Sequence, residues 1–336
     1  MKNKLLLTSA LASVVALAGS AVAETKVSGN LEFVSNNASA TTALASVNGN
    51  GFEENIRIDS SKDIALGKLS YGFNIENAAT EGAYIQVTSK GGLTAQIGAD
   101  SFMNLSSTVV PNTGEAYQTI AGDIGALAYE SSFNLGENAD LARKNAVGLG
   151  ISQAFGKNTV AVRYTPNTAQ ANANSAGGNA QSGTSTIKYM FTGDLGVSGL
   201  KVAAGYAKDE GYAATPADGK GKTIGAAYTV GKVTVGAQRK IYENIATAAA
   251  QDEFKTNEFG IGFAVNDSLS VSLNYIETDG DNNGTDFASK EKITGIGIGY
   301  NLGGIALELS YADVENVAGT TGADGEAFQL RTVQKF

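Results

Sequence analysis

The sequence has no cysteine, no histidine and no tryptophan, and only three prolines among 336 residues. Without Cys or His, no zinc, haem or iron–sulfur site of the usual kind can be assembled. A Ser-His-Asp or Cys-His catalytic centre is excluded for the same reason. Beyond Glu24 no apolar run reaches the roughly eighteen residues of a membrane-spanning helix. Basic residues are outnumbered, with 24 Lys and Arg against 33 Asp and Glu and a formal charge of −9. A net-negative chain without Lys/Arg clusters does not neutralise phosphate, which argues against nucleic acid as a partner. Few prolines beside 42 glycines do not fit a Pro-rich disordered chain; they fit a β protein with regular turns.

What is present begins with a leader. Lys2 and Lys4 precede an apolar stretch from Leu5 to Gly19, and "AVA" closes at Ala23. A charged start, a short apolar centre and a small-x-small end predict a secretory signal peptide over residues 1–23, cleaved before Glu24. The remainder, 24–336, is then one exported domain, its formal charge of −9 made more negative by two through loss of the two lysines. With no disulfide to staple it, such a chain is held by its own architecture.

That architecture is written in period two. "GKLSYGFNIEN" puts Leu69, Tyr71, Phe73 and Ile75 on one face and Ser70, Gly72, Asn74 and Glu76 on the other. "SLSVSLNY", "GIALELSY" and "TGIGIGYNL" repeat the scheme, the last with Gly295, Gly297 and Gly299 along its second face. These are half-buried strands of about ten residues. Sixteen can be placed, starting near Thr25, Phe52, Leu69, Ala83, Leu93, Asn145, Thr159, Ser185, Leu200, Thr223, Val233, Phe254, Leu269, Ile293, Ile305 and Phe328. Their connections alternate: tight turns such as "SKGG", "FGKN", "VGKV", "VNDS" and "LGGI", then long polar stretches such as "TPNTAQANANSAGGNAQSG" and "ETDGDNNGTDFAS". All three prolines (Pro111, Pro166, Pro216) fall in long connections, as a wall made of ladders requires.

A soluble sandwich also alternates, but its connections need not alternate in length, nor would its second face be so rich in Gly, Ser, Asn and Thr. Only a closed barrel can cross lipid as strands, because every backbone group must be satisfied internally. An even strand count, short turns on one rim, long loops on the other and an apolar outer face predict an all-β transmembrane antiparallel barrel of sixteen strands. The outer membrane is its place and outer-membrane lipid its surroundings. The terminal stretch "AFQLRTVQKF" fits this reading, with Phe328, Leu330 and Phe336 on one face. Phe336 is expected at the membrane boundary, where an aromatic sits half in lipid. Tyr164, Tyr206, Tyr228, Tyr275, Tyr300 and Tyr311 supply the girdles in the absence of Trp.

The opening "ETKVSGNLEF", the stretch "GLTAQIGADSF" before a long connection, "RKNAVGLGISQAF" after it, and the terminal phenylalanine come in an order and spacing that resembles the general diffusion porins of Gram-negative outer membranes. The one departure is Gln334, where that family usually carries an aromatic or aliphatic residue. The resemblance implies short periplasmic and long extracellular connections, a homotrimer, and a third loop folded into each pore.

The residues of the third connection, Asp100 to Ala142, suit such a loop. It is far longer than ordinary loops and carries Phe102, Met103, Leu105, Val109, Val110, Tyr117 and Ile120, which need a surface to pack on. The alternatives are packing over the outer rim, or an extra hairpin at "ALAYESSF" that would make eighteen strands. From Gly91 to Ala142 there is no Lys or Arg, while Asp100, Glu115, Asp123, Glu130, Glu137 and Asp140 are present. By parity Lys26, Arg57 and Arg331 point inward, and closure of the barrel would make them one basic patch of wall; Arg163, Lys188 and Lys201 are inward too. An acidic inner loop facing a basic wall sets a transverse field across the constriction; scattered, solvated lumen charges are the plainer reading.

Two further motifs carry less. "GITGIGIG" lacks the helix a dinucleotide fingerprint needs. "DGDNNG" places Asp279, Asp281 and Asn283 as in the first half of a calcium loop, but Lys290 stands where a bidentate Glu belongs, so a turn at a loop tip accounts for it better. No cofactor is called for. The expected function is a water-filled passive channel for small hydrophilic solutes and ions, mildly cation-selective, and not an enzyme. The rivals are a sugar- or phosphate-selective channel and a non-conducting adhesin or structural barrel.

Overall fold

A computed structural model describes residues 24–40, 47–76, 79–98, 109–113, 147–165, 185–210, 219–243, 253–282 and 285–336. The strands are β1 (Glu24–Ala40), β2 (Val47–Ile64), β3 (Gly67–Glu76), β4 (Ala79–Ser89), β5 (Leu93–Gly98), β6 (Gly148–Phe155), β7 (Asn158–Thr165), β8 (Ser185–Gly193) and β9 (Leu200–Glu210). They continue as β10 (Gly219–Val230), β11 (Val233–Glu243), β12 (Glu253–Ala264), β13 (Leu269–Asn282), β14 (Thr285–Asp286), β15 (Glu291–Asn301), β16 (Ile305–Glu315) and β17 (Gly325–Lys335). All pairings are antiparallel between chain neighbours, and β17 pairs with β1 from Asn30↔Lys335 to Ala40↔Gly325, closing the sheet. β14 is a two-residue ladder folded back on the tip of β13, which itself pairs with β15. The wall is therefore sixteen strands, and β5 pairs directly with β6; no extra hairpin enters it.

The faces are inverted relative to a soluble protein. On β5, Leu93 and Ile97 are exposed while Gln96 is buried. On β13, Leu273 is exposed while Ser272 and Asn274 are buried. On β12, Phe259, Ile261 and Phe263 are exposed around inner Glu258, Gly260 and Gly262. Apolar side chains pointing outward around a closed ladder are stable only against lipid. Five of the strands rising from the short turns (β3, β7, β9, β13 and β16) carry an aromatic at their seventh residue, namely Phe73, Tyr164, Tyr206, Tyr275 and Tyr311. That is one edge of an interfacial belt. In the two-residue turns, Gly156 and Gly231 adopt φ of 62° and 59°, the left-handed conformation a tight hairpin needs.

Several strands outlast their apolar face. β1 and β2 run to 17 and 18 residues and β13 to 14, where about ten were expected. The polar start of "ETDGDNNGTDFAS" is thus ladder, with Glu253↔Asp281 and Lys255↔Asp279 in register. Backbone pairing does not depend on what the side chains face, so the sheet continues past the lipid boundary into water.

A compact apolar cluster lies inside the mouth on the long-loop side: Ala38, Ile276, Ile293, Ala312, Val314 and Ala327 face inward there and are covered by Val317 and Ala323. The connection between β16 and β17 folds onto it through a 3-10 turn, Val317–Gly319, held by Val317 N–H to Ala323 O and Ala318 N–H to Glu291 Oε2 at 2.8 Å.

Candidate pore constriction and channel wall

The connection from β5 to β6 reaches the far side of the lumen. Its residues Val109–Thr113 lie against the inner faces of β10, β11, β12, β13 and β15, nearly opposite β5 in the ring. The seat is made of small residues. A Cβ on Gly225 would stand 2.7 Å from Val109 Cγ2, one on Gly236 2.9 Å from Pro111 Cδ, and one on Gly299 2.9 Å from Thr113 Cγ2. At Gly260 it would collide with Val110 Cγ1 and at Gly297 with Thr113 O. Polar neighbours then satisfy the segment's backbone, as a chain removed from water requires. Val109 N–H donates to Gln238 Oε1 (2.8 Å), Thr113 N–H to Ser272 Oγ (2.9 Å), and Asn274 Nδ2 to Pro111 O (2.7 Å). Val109 and Val110 are buried. The inner-face glycines of "TGIGIGYNL" and "EFGIGFAV" thus have a cause beyond alternation: they are the bed of this segment.

Two buried fixtures stand on the wall, one beside the seat and one at the end of β5. Lys240 and Glu258 form an ion pair of 2.6 Å, both nearly inaccessible. Arg163 on β7, 4% exposed, donates Nη2–H to Gly98 O (2.7 Å) and Nη1–H to Gln96 Oε1 (3.2 Å), clamping the end of β5 where the crossing begins. Parity places Arg163 inside, but only the packing shows that it is a strut and not a lumen charge. Lys201 is exposed on β9, and Lys188 is the ladder partner of Arg163. Asp100, Glu115, Asp123 and Glu130 lie outside the described residues.

The basic wall residues are divided and matched. Arg331 binds Glu32 through two hydrogen bonds, 2.5 and 2.8 Å, and donates a third to Glu308 Oε2 at 3.1 Å. Arg57 donates Nε–H to Asp59 Oδ2 (2.9 Å) and lies 5.4 Å over the ring of Tyr84, whose hydroxyl donates to Asp59 Oδ1 (2.8 Å). Gly72 sits between, where a Cβ would strike Asp59 and Tyr84, so the tyrosine can lean across β3. Lys26 is in register with Asp59, and Arg57 with Ser28 on the same strand. Arg331 is in register with Val34, six residues or roughly 20 Å further along β1. The structure brings Lys26 and Arg57 together and sets Arg331 apart, each arginine beside carboxylates. Glu32, Asp59 and Glu308 were legible as inward by the same parity that flagged the bases.

At the end of β17, Phe336 is 58% exposed, and its N–H and C=O both bond to Gly29 at 3.1 Å. Asp279 and Asp281 are strand residues facing Lys255 and Glu253 across the ladder, and Lys290 Nζ is 4.0 Å from Asp279. Asn283 lies outside the described residues, and no group of three potential metal ligands occurs among the described ones.

The wall is closed, apolar outside and polar inside, with a segment crossing the lumen. No curated protein matches by sequence. Solved structures match by fold: a porin refined at 1.8 Å resolution (TM-score 0.62, 14% identity, 93% of this chain and 100% of that one). Outer-membrane expressed OmpT of Vibrio cholerae is similar at TM-score 0.60 and 11% identity (94% of this chain, 99% of that one). A Rhodopseudomonas blastica porin triple mutant is similar at TM-score 0.60 and 14% identity, covering 93% and 100%. The family model described as Gram-negative porin matches residues 10–319, and the chain belongs to that family.

Proposed function

We propose that the protein is an outer-membrane channel for passive diffusion of small hydrophilic solutes and ions, narrowed by the connection between β5 and β6. The observation that carries this reading is the Val109–Thr113 segment bedded on the inner wall opposite its own strands. A sixteen-strand barrel leaves an aqueous lumen, and a chain crossing it sets the narrowest point. A sugar channel would line its lumen with a track of aromatics. Among the described inner residues Tyr242 and Phe254 are buried under other groups, which leaves Tyr84.

Mild cation selectivity is part of the proposal. Glu115 follows Thr113 by two residues, and the acidic connection holds no base from Gly91 to Ala142. The wall arginines stand beside Glu32, Glu308 and Asp59, which leaves little net positive field to oppose it. Homotrimeric assembly, and cleavage before Glu24, where β1 begins, complete the reading.

Planar-bilayer conductance tests it. Deleting Leu105 to Thr119 is expected to raise single-channel conductance while the barrel still folds. Unchanged conductance in a folded deletion would place the narrowest point elsewhere, and no conductance in the wild type would refute the channel reading.

A further inference from the structure

The interfacial belt has a gap. The seventh residue of β7, β9, β13 and β16 is a tyrosine, but on β11 it is Arg239. Arg239 points outward with Val235, which is 47% exposed on the same face. It stands in register with outward Ile224 on β10 and Asn257 on β12. Lys222, the next outward residue on β10, is in register with Tyr206, itself stacked against Tyr189 with ring centroids 6.3 Å apart. Two cations thus occupy the headgroup level of the long-loop side.

Beside them lies an apolar groove on the outer wall of about 930 Å³. Tyr189, Phe191 and Tyr206 line one side, Ile224 and Ile241 the other, and Lys222 and Arg239 belong to the same lining. Its floor is lowered by Ala204, in register with Ile224. The cations are not cancelled locally. Lys222 and Lys220 share one carboxylate, Glu243, at 3.1 and 3.7 Å, and Arg239 donates to the neutral Asn257 Oδ1 at 3.2 Å. On β16 and β17 the same outer level carries instead Asp313 and Glu326, directly paired.

We infer that this groove binds a phosphorylated glycolipid of the outer leaflet, one acyl chain along the aromatic and isoleucine walls and a phosphate on Arg239 and Lys222. A guanidinium held beside lipid is stabilised by a phosphate at the boundary, which it can bind through two parallel hydrogen bonds. The acidic sector at β16–β17 repels the same headgroup, so the binding is local. The inference rests on the outer-membrane reading, and lipid retention and conductance are separate measurements.

The test is native mass spectrometry of the full protein in detergent with lipid A, phosphatidylglycerol or phosphatidylcholine, with single-channel conductance recorded for each variant. Wild type is expected to retain lipid A in preference to both phospholipids. The double variant Lys222→Gln/Arg239→Gln should retain it about tenfold less. Arg239→Tyr, which restores the belt aromatic and so favours folding, should also lose it with conductance unchanged, whereas Lys292→Gln on β15, where the lysine pairs with Glu315 of β16 at 3.5 Å beside the acidic sector, should not. Retention of lipid A by Arg239→Tyr at the wild-type level, equal loss in Lys292→Gln, or equal retention of phosphatidylglycerol would overturn the assignment.

Discussion

At the scale of single residues, the inner-wall glycines act by what they leave out. Gly260 has Val110 where its own Cβ would be, with Pro111 O only 3.0 Å away. Gly260→Val is expected to push Val109–Thr113 off the wall at a cost of about 1–3 kcal/mol. The readouts are a lower unfolding midpoint and a changed single-channel conductance; a variant with both unaltered would show that the segment does not rest there. Arg331 acts by pairing: it satisfies Glu32 and Glu308 together. Arg331→Gln leaves two partly buried carboxylates facing the lumen, which should cost about 2 kcal/mol and make the pore more cation-selective. A reversal potential in a KCl gradient that stays put, or moves toward anions, would contradict this.

At the scale of elements, closure of the ring and the crossing segment matter most. β17 meets β1 along an eleven-pair ladder, and Phe336 extends the contact by two backbone hydrogen bonds to Gly29. Its ring lies on the outer face, so Phe336→Ala keeps the bonds and loses only aromatic contact with the lipid boundary. The expected result is a barrel that still conducts but unfolds at lower temperature, since an aromatic at that depth is favourable. An unchanged midpoint would mean that the ring contributes nothing there. The connection between β16 and β17 is a second inward element, built on Val317, Ala323 and the buried Glu291.

At the scale of the whole molecule, selectivity is a contest between charges at different distances from a passing ion. Charges beyond about 8–10 Å are screened at physiological salt, while a narrow, low-dielectric passage focuses the nearest ones. With Arg57 and Arg331 held beside carboxylates, the acidic third connection should dominate. A KCl gradient is expected to give a cation-favouring reversal potential that shrinks as salt rises, and that falls when Asp100, Glu115 and Asp123 are neutralised together. An anion-favouring wild type, or no response to the triple change, would mean that wall bases govern instead.

The sequence by itself determined the wall. Alternation such as Leu269, Val271, Leu273 and Tyr275 against Ser270, Ser272 and Asn274 is a local, period-two signal, and in lipid it has one closed solution. Strand number, short and long rims, and the inward parity of Lys26, Arg57 and Arg331 follow from it. What alternation could not reveal is height along the barrel. Register, set by pairing between strands distant in sequence, separates Arg331 from Arg57 and lets β13 run on into the polar "DGDN". Nor could it show what rests on the inner face. That Gly225, Gly236, Gly260, Gly297 and Gly299 make room for one segment, and that Arg163 is a strut, depends on a chain more than a hundred residues earlier crossing the lumen to meet them. Such contacts leave no periodic trace, because their partners are joined only by the closed tertiary structure.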